Sequence, residues 1–506
     1  GDNLIRVYLE GHEYRNDLFE LIRVFFPARE IEFVEESFTD GLNLDGSNLE
    51  AINLAYSDGL FIESLLESPE GVSLAISRVY RAGELIKEII IDTDKIEIEG
   101  LPKRRIVKNA IKRSIYDALI DLVDFDVPWG ILTGIRPIKV AHELLNNMDE
   151  DKAKQILMGE FRIRKDKADL MVDIAKVQLK YIYPLDRRKF SLYIHIPFCP
   201  SRCVYCSFPA FGIGKDYIRV EEYVDTLILE LKTIAGMVMD LKLNTVYIGG
   251  GTPTSIKTRD LERIIASVRD NFKGHIKEFT VEAGRPDTLN EENIRMLRDM
   301  EVDRISINPQ TMNLKTLIAI GRHHDVDSIR KSYALAKDLG FDINMDIIIG
   351  LPGEDLGDVE YSLEEIKKLD PENLTVHTLS LKRGSKLINK EELDLRSAEI
   401  HKMLDLTAKK AKEMGMSPYY LYRQKQILGN LENIGYAKVN KECIYNISMM
   451  EEKETTIGAG VGAVSKFFYP EENRIERLPN FRDLIVYSQR IDELLAKKRE
   501  FIKSLY

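Results

Sequence analysis

Three of the four cysteines in this 506-residue chain lie together, in the segment CPSRCVYC, as Cys199, Cys203 and Cys206. Thiolates are the usual ligands of iron–sulfur clusters. Three of them in one loop can bind three irons of a four-iron, four-sulfur cubane and leave the fourth iron open to an outside ligand. Zinc is the alternative metal, but a closed zinc site takes four protein ligands, and no Cys or His pair nearby completes this one. The plain alternative is three buried or free thiols. A disulfide framework would spread its cysteines through a small secreted chain, which this is not. Cys443 stands far from the others and reads as a plain buried thiol.

A second chemical signal is GGGTP, residues 249–253. Glycines let the backbone approach a ligand and expose its amides and carbonyls, although Gly-Gly after a strand is often only a turn. The elements around these motifs say how they are gathered. From about residue 190, short β-branched runs alternate with helical segments: SLYIHI (191–196), NTVYIG (244–249), KEFTVEA (277–283), DRISIN (303–308), INMDIIIG (343–350) and NLTVHTL (373–379). Such alternation predicts parallel βαβ units. Six units predict an α/β fold, an incomplete (β/α)6 barrel with an open side. Active sites of such barrels lie at the C-terminal ends of the strands. The cysteines follow the first strand, GGGTP the second, Glu282 ends the third, Gln310 follows the fourth and Asp346 lies on the fifth. A carboxylate on an interior strand needs a partner if buried, which favours a role for Asp346.

Residues 1–185 read as a separate α+β region of unknown role, with a strand at 4–11, a hairpin over 72–94 and an amphipathic helix over 102–123. Residues 186–414 form the barrel core. Residues 415–506 read as a mostly helical, substrate-covering region that includes an odd glycine-rich, strand-like stretch, TIGAGVGAVSKFF (456–468). Trp129, the single tryptophan, reads as packing.

Composition bounds the function. Hydrophobic residues make up 44% and charged residues 31%, ordinary for a soluble globular protein. No apolar run approaches the roughly 18 to 20 residues that span a bilayer, and the start of the sequence is not a signal peptide. The expected location is the cytoplasm, with no membrane span. A net charge of −11 argues against nucleic acid as a partner, since that needs a basic footprint.

The Cys-x3-Cys-x2-Cys spacing resembles the signature of the radical S-adenosylmethionine (SAM) superfamily. YIHIPFCPSRCVYCSF, GGGTPTS, TVEAGRPD, NPQTMN and MDIIIGLPGE together resemble its coproporphyrinogen III oxidase group. WGILTGIRP and YYLYRQKQILGNLENIGYA resemble the longer HemZ branch in particular. The resemblance implies one four-iron cluster with SAM on its open iron, cleaved by one electron to methionine and a 5′-deoxyadenosyl radical. It further implies that Tyr193 lies near SAM, that Tyr205 packs on the adenine, and that Gly250, Gly251 and Thr252 hold the methionine part together with Glu282. Tyr193, Glu282 and Asp346 are the catalytic candidates. Gln310, Arg322 and Asp346 match positions assigned in the oxidase to a second SAM, although Gln310 and Arg322 could equally be rim hydrogen-bonders. Two departures stand out. Phe208 occupies a position that is cysteine in the oxidase pattern, and IGRHHD (320–325) resembles the Arg-x-His segment of the heme-chaperone branch.

The resemblance implies a tetrapyrrole substrate, coproporphyrinogen III or heme, and an electron donor such as flavodoxin or ferredoxin. Tetrapyrrole carboxylates call for guanidinium and ammonium partners; the candidates are Arg285, Lys382, Arg383, Arg423 and Lys425. The activity that the resemblance implies is oxygen-independent decarboxylation of coproporphyrinogen III propionates to vinyl groups; the alternatives are heme carriage without catalysis and radical heme opening with methyl transfer.

Overall fold

The computed structural model describes residues 4–35, 59–206, 210–213, 218–322, 324–380, 397–424 and 430–505. The chain divides into two compact units, residues 1–175 and 176–506. The division falls inside the helix Lys165–Ile182 rather than in the loop near residue 185.

The first unit is α+β. Its sheet runs β2-β1-β3-β4-β5, with β1 Leu4–Glu10, β2 Glu30–Val34, β3 Leu60–Glu67, β4 Leu74–Arg81 and β5 Glu84–Asp92. The anticipated hairpin is the antiparallel pair β4–β5. Helices Arg15–Phe25 and Lys103–Leu119 bury Leu18, Leu21, Ile22, Ala110, Ile111 and Ile115 in one apolar cluster with Ile5, Val7, Leu60 and Ile62. Trp129 is fully buried.

The second unit is built on one sheet of eleven strands. Its centre is the run β6 (Lys189–Ile196), β9 (Lys242–Gly250), β10 (Glu278–Val281), β11 (Arg304–Ser306), β12 (Asp342–Ile349) and β13 (Asn373–Thr378), each parallel to the next. These are the six predicted strands in the predicted order. Helices 218–237, 258–271, 291–299, 326–338 and 356–369 fill the crossovers, giving an incomplete (β/α) barrel. Strand interiors such as Leu192, Ile194, Val246, Ile248, Ile343 and Met345 are buried, as parallel strands covered by helices require. Between β6 and β9, β7 (Phe198–Cys199) and β8 (Phe211–Gly212) pair across the cysteine loop.

The C-terminal residues differ from expectation. They carry five strands alongside their helices and form no separate layer. β15 (Asn433–Ala437) pairs antiparallel with β13, and β14 (Ser417–Tyr422) with β15. On the other side β16 (Thr455–Ala459) lies parallel to β6, followed by β17 (Val464–Tyr469) and β18 (Arg474–Pro479). The glycine-rich stretch is β16, a tight turn and β17. Gly460 and Gly462 have φ of +95° and +70°, and a side chain at Gly460 would collide with the Tyr223 hydroxyl. Lys498, on the helix Ile491–Lys503, donates at 2.6 Å to Glu230 on the first crossover helix; both side chains are fully buried. Tyr487, Asn480 and the Gly460 amide bond to the same carboxylate. Among the described residues no helix is long and apolar enough to cross a membrane.

Candidate functional site

A cavity of about 420 Å³ opens at the C-terminal ends of the central strands. Side-chain alternation decides what faces it. β12 presents Asn344, Asp346 and Ile348, β13 presents Thr375 and His377, and β14 presents Tyr420 and Tyr422, followed by Gln424. Tyr247, Glu282, Ser306, Asn308, Gln310 and Arg322 complete the wall beneath Cys199, Cys203, Tyr205 and Cys206.

The cysteine loop is tied down at both ends. The Phe211 amide donates to the Pro197 carbonyl at 2.7 Å, and the Val204 amide to the Ile320 carbonyl at 3.2 Å. Burial pushes the Cys199 thiol above its ordinary pKa, against the lowering effect of the Thr252 hydroxyl at 3.5 Å. The glycines of GGGTP make room for this arrangement. A Cβ on Gly249 would lie 2.8 Å from Glu282 Oε2. One on Gly250 would lie 2.1 Å from His195 Cδ2, at a φ of +120°. One on Gly251 would lie 2.5 Å from the Phe198 carbonyl oxygen and 3.0 Å from Cys199 Sγ. Only glycine lets this loop lie between the carboxylate and the thiols.

Glu282 is the buried carboxylate of the cavity. The Tyr247 hydroxyl donates to Oε1 at 2.5 Å and the Gly250 amide to Oε2 at 3.3 Å. Burial raises its pKa to about 7; the Tyr247 bond opposes the rise and the Asp346 charge adds to it. Asp346 accepts from Asn344 Nδ2 at 2.6 Å and lies 3.5 Å from His377 Nε2. His377 Nδ1 in turn meets the Tyr422 hydroxyl at 3.0 Å.

Gln310 holds a left-handed φ of +68°, a strained conformation for a non-glycine residue. Its backbone bonds on both sides to β12, to the Asp346 carbonyl and the Ile348 amide, each at 2.9 Å. Its Oε1, like Asn308 Oδ1, is buried without a partner among the described residues. Unsatisfied buried acceptors facing a cavity suit a ligand that donates hydrogen bonds.

The structure gathers most of the candidates and turns two away. Tyr193 does not line the cavity. It stacks behind the wall on Tyr445 and Tyr247, with ring centroids at 6.1 and 6.3 Å, so Tyr247 holds the cavity face. Arg423 falls on the opposite face of its strand from Tyr422. It is buried and bonded to Asn430, and burial holds its guanidinium down at about 10. It does not line the cavity. Arg285 does reach the cavity, but Asp287 grips it through Nε at 3.0 Å and Nη2 at 2.7 Å. Lys382, Arg383 and Lys425 lie outside the described residues. Cys443 is buried, as read, and donates to Glu278 at 3.3 Å.

Sequence reasoning missed Tyr247, Asn308, Asn344, His377, Tyr420 and Tyr422. Period-2 spacing along the strands would have found several of them, since Asn344 and Asp346 share a face, as do Tyr420 and Tyr422.

The chemistry of the donor set, three free thiols on one loop, suits an iron–sulfur cluster. Among the described residues no three His, Cys, Asp or Glu side chains converge to hold one metal ion. In a cubane each thiolate takes a different iron, so convergence on one point is not required.

Comparison with known proteins adds a second line. The sequence profile of the radical SAM superfamily matches residues 193–366. The chain is 42% identical over 410 residues to the oxygen-independent coproporphyrinogen-III oxidase-like protein HemZ of Bacillus subtilis, covering 79% of this chain and 82% of that protein. It is 31% identical over 280 residues to the heme chaperone HemW of the same organism, covering 54% and 70%. Against the oxygen-independent coproporphyrinogen III oxidase of Salmonella typhimurium the identity is 29% over 206 residues, covering 40% and 44%. The solved structure of coproporphyrinogen III oxidase HemN from Escherichia coli superposes with a TM-score of 0.49 at 22% identity, covering 63% of this chain and 72% of that one.

Proposed function

The chain belongs to the HemZ branch of the radical SAM coproporphyrinogen III oxidase group, and from that premise we propose that it converts propionate side chains of coproporphyrinogen III to vinyl groups without oxygen. The observation that carries this reading is the cavity itself. One pocket collects three thiols, a glycine loop, a buried carboxylate and unsatisfied amide oxygens at the strand ends.

Cys199, Cys203 and Cys206 would hold the four-iron cluster, and SAM would lie on the glycine loop. When bound, this pair supplies one-electron radical chemistry, which takes a hydrogen atom from the β-carbon of a propionate; loss of carbon dioxide and one electron then leaves a vinyl group. The protein's contribution is position and exclusion of water. The Glu282 carboxylate, aimed by Tyr247 and the Gly250 amide, would accept a hydrogen bond from the amino group of SAM. Gln310 and Asn308 offer acceptors to the hydroxyls and amines of the same ligand. Asp346 is held by Asn344 beside His377, and the His377–Tyr422 pair faces the open part of the cavity where a macrocycle would enter. Such chemistry would require an electron donor of the flavodoxin or ferredoxin kind for the cluster, and an acceptor for the electron that the substrate loses. The work is expected in the cytoplasm.

Anaerobic incubation with SAM, reductant and coproporphyrinogen III, followed by mass spectrometry, tests the reading. The expected result is loss of two carboxyl groups, with one SAM consumed for each. Cys203→Ala should contain no cluster by iron and sulfide analysis and form no product. Tight heme binding with no vinyl product would make the chain a heme carrier instead. A methylated, opened tetrapyrrole from heme would make it a methyltransferase.

A further inference from the structure

Behind the cysteine loop lies charge that the substrate reading does not use. Arg285 is 4% exposed and Arg322 6%. Arg322 bonds to the Asn308 carbonyl at 2.8 Å, the Gly284 carbonyl at 3.2 Å and the Tyr205 hydroxyl at 3.1 Å, all neutral. Its Nε is buried without a partner among the described residues. Arg285 meets one carboxylate, Asp287. Its remaining nitrogen, Nη1, donates to the Ser201 carbonyl at 3.1 Å and points at Cys203 Sγ at 3.7 Å. Among the described residues the two buried guanidiniums have one carboxylate between them, so the pair carries a net positive charge near the Cys203 thiol. A buried charge without a counter-charge is costly. Its natural complement is the anion that forms when the cysteines are ionised and bound to iron.

We propose that Arg285 is a positioning residue for the cluster, not a substrate carboxylate receptor: it fixes the cysteine loop through Ser201 and sets a positive charge against the Cys203 sulfur. The assignment rests on the cluster proposed above. Asp287 supplies the leverage, because its two-point grip on Nε and Nη2 orients Nη1 toward the loop. Adding an electron makes the cluster more negative, so a fixed cation within bonding reach of one ligand sulfur favours the reduced form. Charge and hydrogen bonds at ligand sulfurs are established means of setting cluster potential. Arg285 would therefore ease the electron uptake on which SAM cleavage depends.

Redox titration of the reconstituted full chain, followed by electron paramagnetic resonance and without substrate, separates this role from a merely structural one. Arg285→Gln keeps a donor for the Ser201 carbonyl and removes the charge; its midpoint potential should fall below that of the parent. Arg285→Lys keeps the charge and loses the fork with Asp287; its midpoint should stay closer to the parent than that of the glutamine variant. An unchanged midpoint in Arg285→Gln, or equal falls in both variants, overturns the proposal. So does an unchanged midpoint with weakened coproporphyrinogen binding, which would return Arg285 to the substrate. If the glutamine variant holds no cluster, the lysine variant decides: a parent-like midpoint supports the charge, and a cluster lost there too, with an unchanged circular dichroism spectrum, refutes it. Absence of any cluster in the parent would instead defeat the functional reading on which this one stands.

Discussion

At the scale of single residues, Glu282 ties the chemistry to pH. Burial raises its pKa to about 7, so the folded protein holds the proton well above the range of a free carboxyl. The sign follows from linkage. The group's contribution to the stability of the unliganded protein is retained below its unfolded value and lost as pH rises through about 7. In the proposed site SAM would reverse the preference, because an amino group that donates a hydrogen bond selects the carboxylate. SAM affinity should therefore rise between about pH 6 and about pH 8, with proton release at the lower end. Calorimetry in two buffers of different ionisation enthalpy measures both. Glu282→Gln should bind weakly at either pH, with no proton release. A parent protein whose SAM affinity is flat across that range would remove Glu282 from the site. The place of this carboxylate and of the cysteines at the cavity was legible in sequence because each is set by position: the end of one strand, or a spacing of three thiols. Arg423 was misplaced because successive side chains turn to opposite faces; Tyr193 shares its face with its cross-strand partner Tyr247 and was misplaced because Tyr247 and Tyr445 stack over it. Tyr247 holds the cavity face in front of Tyr193, and Tyr422 holds the one beside Arg423. Arg285 was read as a partner for substrate carboxylates because its pairing with Asp287, two residues on, depends on how the loop after β10 turns.

At the scale of elements, the six β-branched runs settled the barrel. Parallel strands covered on both faces have to be written as near-continuous apolar stretches. The strands of the C-terminal region were harder to see. SPYYLY and NIGYA are short and rich in aromatic residues and glycine, and their hairpin joins the sheet through β13, far back in sequence. The GGGTP loop tests how tightly these elements fit. In Gly250→Ala the new methyl would lie 2.1 Å from the His195 ring, on a backbone with φ of +120°. Both effects act on the loop and neither on the helices. The variant should keep its circular dichroism spectrum and lose about tenfold or more in SAM affinity, the result of about 1.4 kcal/mol of misfit. Gly236→Ala is the control. It sits in a crossover helix with open space around it, and alanine there should leave binding unchanged and raise stability slightly. Unchanged SAM affinity in Gly250→Ala would mean that the loop does not hold the ligand.

At the scale of the whole second unit, one polar knot fastens the C-terminal helix to the barrel. Lys498 and Glu230 are fully buried, and Glu230 also gathers Tyr487, Asn480 and the Gly460 amide. Breaking a buried pair by removing one partner strands the other charge, at a typical cost of about 3 to 5 kcal/mol. Lys498→Met should lower denaturant stability by about that amount. Lys498→Met with Glu230→Gln should recover part of it, since the stranded charge is gone. A double variant less stable than the single one would show that Glu230 matters more for its neutral partners than for Lys498.

The pairing of β16 with β6 also sets an order of events. The strand that delivers the cysteines has β9 on one side and β16 on the other, in register from Phe190 against Thr455 to Ile194 against Ala459. The second neighbour is made long after the first. While the chain is being synthesised, β6 stays an open edge, and the carbonyl of His195, which accepts from Tyr223, lies next to a gap where Gly460 belongs. Contacts so distant in sequence form late. Iron delivered to the cysteines before then would meet a half-walled loop beside an unpaired strand, the kind of surface that aggregates. Assembly of the proposed cluster is thus a step for a chain whose β16 has already paired with β6.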